Sequence, residues 1–279
     1  MSISVLMSIY DKELPCHLEQ CLESLVAQTL QPDEVVVVKD GPLTLELEEV
    51  FARYSEELPF VFVPLAQNVG LGSALAAGLK HCTAELVARF DSDDVYPPDR
   101  LLRQFEFLRD HPDVSVVSAA GAEFEEDYRH PYCIRSRPGW VHLGRAARLR
   151  NPVSFHTTVV FRREHVMSVG NYQSCHGFED YYLWARMLVA GFYIYNMPDV
   201  LAYVRCGNGM LSKRRGLKYM RYELAFLSKC HEIGFLSPSQ YLLSFLSRVP
   251  LRLLPAEMLA SVYRTFLRKP IEAANSNLL

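Results

Sequence analysis

Two hydrophobic periods alternate over the first 120 residues of the chain. Residues 3–9 form an apolar run of strand length, and Leu18, Cys21, Leu22, Leu25 and Val26 then recur at helical spacing. Residues 34–38 include four consecutive valines. A strand without polar alternation is one covered on both faces. Residues 50–54 close a helix, residues 60–63 make a third strand, and residues 70–81 carry Leu71, Ala74, Leu75 and Leu79 on one helical face. A fourth strand follows at 86–90. Leu101, Leu102, Phe105 and Leu108 mark a helix begun after Pro97-Pro98, and 114–117 are a fifth strand. Such alternation predicts an α/β fold, a doubly wound and mostly parallel sheet flanked by helices. Ligands bind such sheets at the carboxyl ends of the strands.

Beyond Gly121 the pattern loosens into a polar stretch reaching about Arg150. Strand character returns at 158–161 and 192–195, with an amphipathic helix at 178–190 between them. From Ser237 the chain reads as helical and basic. Met258, Leu259, Val262, Tyr263, Phe266 and Leu267 form an apolar stripe behind Pro255, a residue suited to a helix start. The expected division is an α/β domain at 1–205 and a basic, helical C-terminal region at 206–279.

Charge sharpens that division. The whole chain carries 29 Lys and Arg against 32 Asp and Glu, a net charge of −3. From residue 213 to 269, eleven basic residues meet three acidic ones, which leaves eighteen against twenty-nine elsewhere. A balance this even excludes whole-surface nucleic-acid binding, while the basic tail suits an anionic membrane surface. Leu242, Leu243, Phe245 and Leu246 with Arg248, together with the 258–267 stripe, read as interfacial helices. The same periodicity also fits packing on the catalytic domain or on a second subunit of a homodimer. Seven scattered cysteines contain no C-x-x-C pair, so a reducing cytoplasm is the expected compartment. No apolar run approaches the roughly 18 residues of a spanning helix. The expected location is therefore cytoplasmic and peripheral, on the inner face of the plasma membrane.

Phe90-Asp91-Ser92-Asp93-Asp94 is the strongest local signal. Three carboxylates in four positions repel one another and raise each other's pKa. A hard divalent cation, Mg²⁺ or Mn²⁺, held by Asp91 and Asp93 relieves that repulsion; a solvated acidic turn is the plainer alternative. Ser8, Tyr10 and Asp11 end the first strand, and Asp40-Gly41 ends the second. A tyrosine ring there suits stacking on a base, and an acidic strand end suits its polar edge. Asn68-Val69-Gly70-Leu71-Gly72 leads into a helix but lacks the third glycine of the dinucleotide fingerprint. Glu179-Asp180 opens the 178–190 helix, where the dipole favours acids and where a general base also fits.

In order, the blocks S-V-L-M-S-I-Y, C-L-E-S-L-V-A-Q-T-L-Q-P-D-E-V-V-V-V-K-D-G, N-V-G-L-G-S-A-L-A-A-G-L, R-F-D-S-D-D-V-Y-P-P-D-R-L and F-E-D-Y-Y-L-W-A-R resemble the inverting, nucleotide-sugar-dependent glycosyltransferases of family two, with the GT-A fold. The likeness spans about residues 3–205. The N-P-V-S-F-H-T-T-V-V-F-R and R-C-G-N-G-M-L-S-K-R-R-G segments resemble those bacterial members that build O-antigen and exopolysaccharide repeat units on a diphospho-lipid-linked acceptor. The resemblance implies a nucleotide sugar, UDP-linked, as donor and Mn²⁺ or Mg²⁺ as cofactor. It implies Tyr10 and Asp40 at the nucleobase, Asp91 and Asp93 at the ribose and metal–diphosphate, and Asp180 as base beside Glu179. Ser8, Asp11, Asn68, Arg89, Ser92, His156, Arg205, Arg214 and Arg215 are the further substrate contacts expected, with Arg205, Lys213, Arg214 and Arg215 binding phosphate from a loop. Lys39 stands where many relatives have Asp, and Asp11 where they often have Asn. The rival readings are a sugar nucleotidyltransferase, against which the glycine-free 9–13 loop counts, and a non-catalytic assembly subunit.

Overall fold

The structure, a computed structural model, describes residues 1–141, 143, 147–148, 150–206, 216–249 and 252. A central sheet runs in the spatial order β3-β2-β1-β4-β8-β5-β9-β7. Its first four strands are β1 (Ile3–Ile9), β2 (Glu34–Lys39), β3 (Phe60–Pro64) and β4 (Leu86–Asp91), all mutually parallel. Helices α1 (Pro15–Val26), α2 (Leu45–Arg53), α3 (Leu71–Leu79) and α4 (Arg100–Asp110) connect them and lead to β5 (Val114–Phe124). β8 (Val160–Arg162) lies antiparallel between β4 and β5, and β9 (Tyr193–Arg205) returns parallel to β5. The short strands β6 (Cys133–Arg135) and β7 (Gly139–Val141) pair antiparallel with β5 and β9.

Alternation along the strands sorts the core into two layers. Ile3, Val5, Met7 and Ile9 of β1, with Val35 and Val37 of β2, face α1, α2 and α4 through Leu18, Leu22, Leu47, Leu101 and Leu108. Leu6, Val36 and Val38 face the other way, onto Ala74, Leu75 and Leu79 of α3. That second layer continues through α5 (Arg163–Ser168), α6 (Glu179–Val189) and α7 (Gly216–Glu232), with Val166, Leu183, Trp184, Phe226 and Leu227 buried in it. α8 (Pro238–Arg248) packs on α7, starting from a Ser237–Gln240 capping box.

Four differences from the sequence pattern have physical reasons. β5 continues to Phe124 with every residue buried, because small Ser118–Gly121 side chains let β9 and Phe155 close over it. The 158–161 run starts instead as a 3₁₀ turn over His156–Thr158, since the Thr158 hydroxyl bonds to the Phe155 and Ala119 carbonyls. β9 extends to Arg205, passing Pro198 through irregular register against β5. Helix α7 begins before Ser237, and its Phe226, Leu227 and Cys230 are buried in the second core layer. The 258–267 stripe lies outside the described residues.

Candidate active site

β1, β2 and β4 end side by side, with Ser8 in register with both Val38 and Asp91. Their carboxyl ends open on a cleft of about 380 Å³ lined by Ser8, Tyr10, Asp40, Asn68, Asp91, Ser92 and Asp93, together with Glu13, Gly70 and Leu71. The sequence reading thus brings seven of its predicted residues to one cavity. Tyr10 is 41% exposed, its ring available to a planar partner. Asp11 is exposed on the following turn and is absent from the lining. Asp40 is buried, and its two carboxylate oxygens accept from the Val69 and Gly70 amides at 2.7 and 3.1 Å. It therefore shapes the Asn68–Gly70 wall of the cleft. Lys39 turns away, paired with Glu48 at 2.5 Å and lying 4.3 Å over the Phe62 ring.

The aspartate turn is held from behind by three arginines. Arg89 is fully buried and bonds to Asp91, so it reaches the cleft only through that carboxylate. Arg100, also fully buried, donates to the Arg89 carbonyl at 2.7 Å and lies against the Phe90 and Tyr96 rings. Burial lowers its pKa to about 10. Arg205 donates to the Asp93 carbonyl at 3.0 Å and to Gln20 at 2.6 Å, while its amide donates to Asp94 at 2.8 Å. It ends β9 rather than belonging to a loop, which corrects its expected grouping with Lys213, Arg214 and Arg215; those three lie outside the described residues. The Asp91 amide sits beside the Tyr96 and Thr157 hydroxyls, at 2.8 and 3.3 Å.

Burial, the Asp91 carboxylate and the Glu13 carboxylate together push Asp93 up to about 7. Asp94, buried and facing Asp93 and Asp91, is pushed well up too. Protonation or a cation relieves such a cluster. Among the described residues no three His, Cys, Asp or Glu form a closed metal cage. Two carboxylates on one turn facing an open cleft instead suit a hard divalent cation that completes its shell with phosphate oxygens and water. The donor set suits Mg²⁺ or Mn²⁺, and Asp93 with Asp91 are the residues that would hold it.

The second acidic pair lies on the far side of α3's first turn. Gly72 there has no side chain, and a Cβ would collide with the Glu179 side chain. Gly70 and Leu71 beside it line the cleft, so Glu179 packs next to the cleft wall, while neither Glu179 nor Asp180 is among the lining residues. Asn151 donates to Asp180 at 2.7 Å and Arg137 donates to the Asn151 carbonyl at 2.6 Å. Burial, partly offset by nearby amides, raises Glu179. His156 lies between the two acidic turns, feeling both Asp91 and Asp180, with its Nε2 2.9 Å from the Tyr172 hydroxyl. Burial and then Arg89 lower it to about 4, so it is neutral at physiological pH. Glu13, which accepts from Ser92 at 2.9 Å, was invisible as a site residue because nothing in Y-D-K-E marks it. Arg100 had a signal, the P-P-D-R-L run itself.

The glycosyl transferase family 2 model matches residues 4–170. The chain belongs to that family. As a family 2 chain it is 42% identical to the amylovoran biosynthesis glycosyltransferase AmsE of Erwinia amylovora, over 93% of this chain and 97% of that one. It is 31% identical to the Escherichia coli UDP-Gal:alpha-D-GlcNAc-diphosphoundecaprenol beta-1,3-galactosyltransferase, over 95% and 96% of the two chains. Among solved structures, Staphylococcus aureus TarS 1–349 with UDP-GlcNAc superposes at a TM-score of 0.68 with 17% identity, covering 96% of this chain and 76% of that one. The Pyrobaculum calidifontis mannosyltransferase PcManGT, solved with GDP-Man and Mn²⁺, gives 0.66 with 22% identity, covering 95% and 75%. These likenesses establish the GT-A fold for the family 2 chain.

Proposed function

We propose that the chain is a metal-dependent, inverting glycosyltransferase of bacterial surface polysaccharide synthesis. It moves a hexose or N-acetylhexosamine from a UDP-sugar to a hydroxyl of a diphospho-lipid-linked saccharide. The observation that carries this reading is the cleft of strand-end acids, with Glu179, next to Asp180, packed on the side-chain-free Gly72 beside its wall. The E. coli relative, named for transfer from UDP-Gal to a diphosphoundecaprenol-linked sugar, supports the donor and acceptor classes.

In this reading Tyr10 stacks on the base, while Ser8, Asp40 and Asn68 form the walls that orient it. Asp91 and Ser92 face the ribose and diphosphate. Asp93 and Asp91 would hold a divalent cation, which when bound would supply Lewis-acid stabilisation to the departing diphosphate. Asp180, fixed by Asn151, accepts the proton of the acceptor hydroxyl as that oxygen attacks the anomeric carbon from the face opposite the diphosphate. The C–O bond to the acceptor forms as the bond to the diphosphate breaks, so one displacement inverts the configuration. Glu179 lies against α3 beside the base. Neutral His156 has no charge to offer phosphate and suits a hydrogen bond to a sugar hydroxyl.

The membrane-surface part of the reading rests on α8. Leu242, Leu243 and Leu246 are 56%, 49% and 59% exposed, within the stretch where basic residues outnumber acidic ones. No helix among the described residues is long and apolar enough to cross a membrane. The test is thermal stability against a panel of nucleoside diphosphates and nucleotide sugars, with and without Mn²⁺. The expected result is a metal-dependent rise in Tm with UDP that disappears in Asp93→Ala, since a ligand of the folded state stabilises it by mass action. No shift with any nucleotide would overturn the proposal.

A further inference from the structure

Glu223 lies on α7 with no exposed surface, and the mechanism gives it no task. A buried carboxylate is tolerated only where cations meet it. Here Arg248 at the end of α8 forms an ion pair with it at 2.6 Å, and Arg252 bonds to its other oxygen. The Arg248 guanidinium lies 5.5 Å from the Phe226 ring centre and 5.8 Å from those of Phe178 and Tyr181. The Tyr181 hydroxyl itself donates to the Ala147 carbonyl at 2.8 Å. Phe178 and Tyr181 immediately flank Glu179-Asp180.

The start of α6 needs such support. Its N-cap, Phe178, makes no side-chain capping bond, so the first turn lacks the usual local anchor. Gly177 before it has φ +75°, and a Cβ there would press on Tyr219 of α7 at 3.3 Å. Phe178 stacks on Phe226 at 4.6 Å, and Tyr219 in turn lies under Arg252 at 4.8 Å. We infer that the Glu223–Arg248–Arg252 clamp of the C-terminal helices is a positioning device for the Asp180 turn, so that the C-terminal helices set the geometry of the base. The inference rests on the assignment of Asp180 above. It makes Arg248 a positioning residue, remote from the nucleotide cleft.

The full-length Arg248→Gln protein tests it by three measurements, steady-state transfer kinetics, calorimetric titration with UDP and Mn²⁺, and hydrogen exchange of the α6 amides. The clamp predicts a kcat about tenfold to a hundredfold lower, as expected for a misplaced base, with the Kd for UDP unchanged within twofold. It also predicts faster exchange confined to the first turn of α6. Arg248→Lys keeps the charge opposite Glu223 but loses the guanidinium beside the three rings; it should fall between wild type and Gln, and it carries the test alone if the Gln variant does not fold. Unchanged exchange at α6, or losses of UDP affinity and kcat in the same proportion, would overturn the clamp. Wild-type protein that transfers no sugar would sink the assignment of Asp180 instead, and the exchange measurement, which needs no substrate, would still decide whether the clamp orders that turn.

Discussion

The two acidic turns, one at the cleft and one beside α3, are held in opposite ways. The Asp91–Asp94 turn follows a fully buried strand and is gripped from below by Arg89, Arg100 and Arg205 and by the Tyr96 hydroxyl. Two of those arginines are within nine residues of it. The Glu179-Asp180 turn has no capping side chain and depends on Asn151, on Gly72 and on the C-terminal helices. A charged cluster needs dense polar backing wherever it sits, because its repulsion is present before any ligand arrives. A single base needs only to be aimed, and aim comes from packing.

The sharpest way to break this comparison is Asp180→Asn. Transfer should fall by about 10²–10⁴-fold, the usual contribution of a general base, while UDP binding measured by calorimetry stays intact. Equal loss of both would mean that the second turn also holds the donor. Next in size, Arg100→Met should leave the Arg89 carbonyl without its charged partner, costing about 1.5–3 kcal/mol in urea unfolding and lowering nucleotide affinity. Stability unaltered by that change would show the backing to be redundant.

Gly72→Ala places a methyl group against Glu179 and should cost about 1–3 kcal/mol of stability by overpacking. Steady-state kinetics should show kcat falling more than the donor KM changes; a pure KM effect would place the strain on the cleft wall.

The smallest expected effect concerns pH. His156 has its pKa lowered in the folded state to about 4 by burial and Arg89. Between the unfolded value near 6.5 and 4 the unfolded chain therefore binds more protons, and stability falls as the pH drops through that window. In His156→Gln the fall, followed by urea midpoints at pH 7, 5.5 and 4.5, should be shallower. An identical slope would remove His156 from the buried link between the turns.

The order of elements was largely legible in the sequence, because buried parallel strands such as 34–38 advertise themselves by unbroken branched residues. So were most residues of the first turn, since strand-end acids and the P-P-D-R-L run are contiguous. Helix α7 was missed. Its buried face mixes Glu223 with Phe226, Leu227 and Cys230, and a carboxylate in a core stripe breaks the apolar period until its arginine partners are known. β9 was cut short at Tyr195 because Asn196, Pro198 and Asp199 interrupt the strand pattern, which the irregular pairing with β5 tolerates.

What the sequence determined by itself is local: which segments are strands and helices, where acids follow a buried strand, and which family's ordered blocks are present. Periodicity and contiguity are short-range properties, and they survive without a partner. Tertiary structure alone decided that Arg89 is buried behind Asp91, that Asp40 ties down the Asn68–Gly70 loop, that Glu13 joins the cleft, and that Gly72 leaves the gap into which Glu179 packs. Each of those depends on which distant groups come within a few ångströms, and burial, hydrogen bonding and charge coupling take effect only at that range.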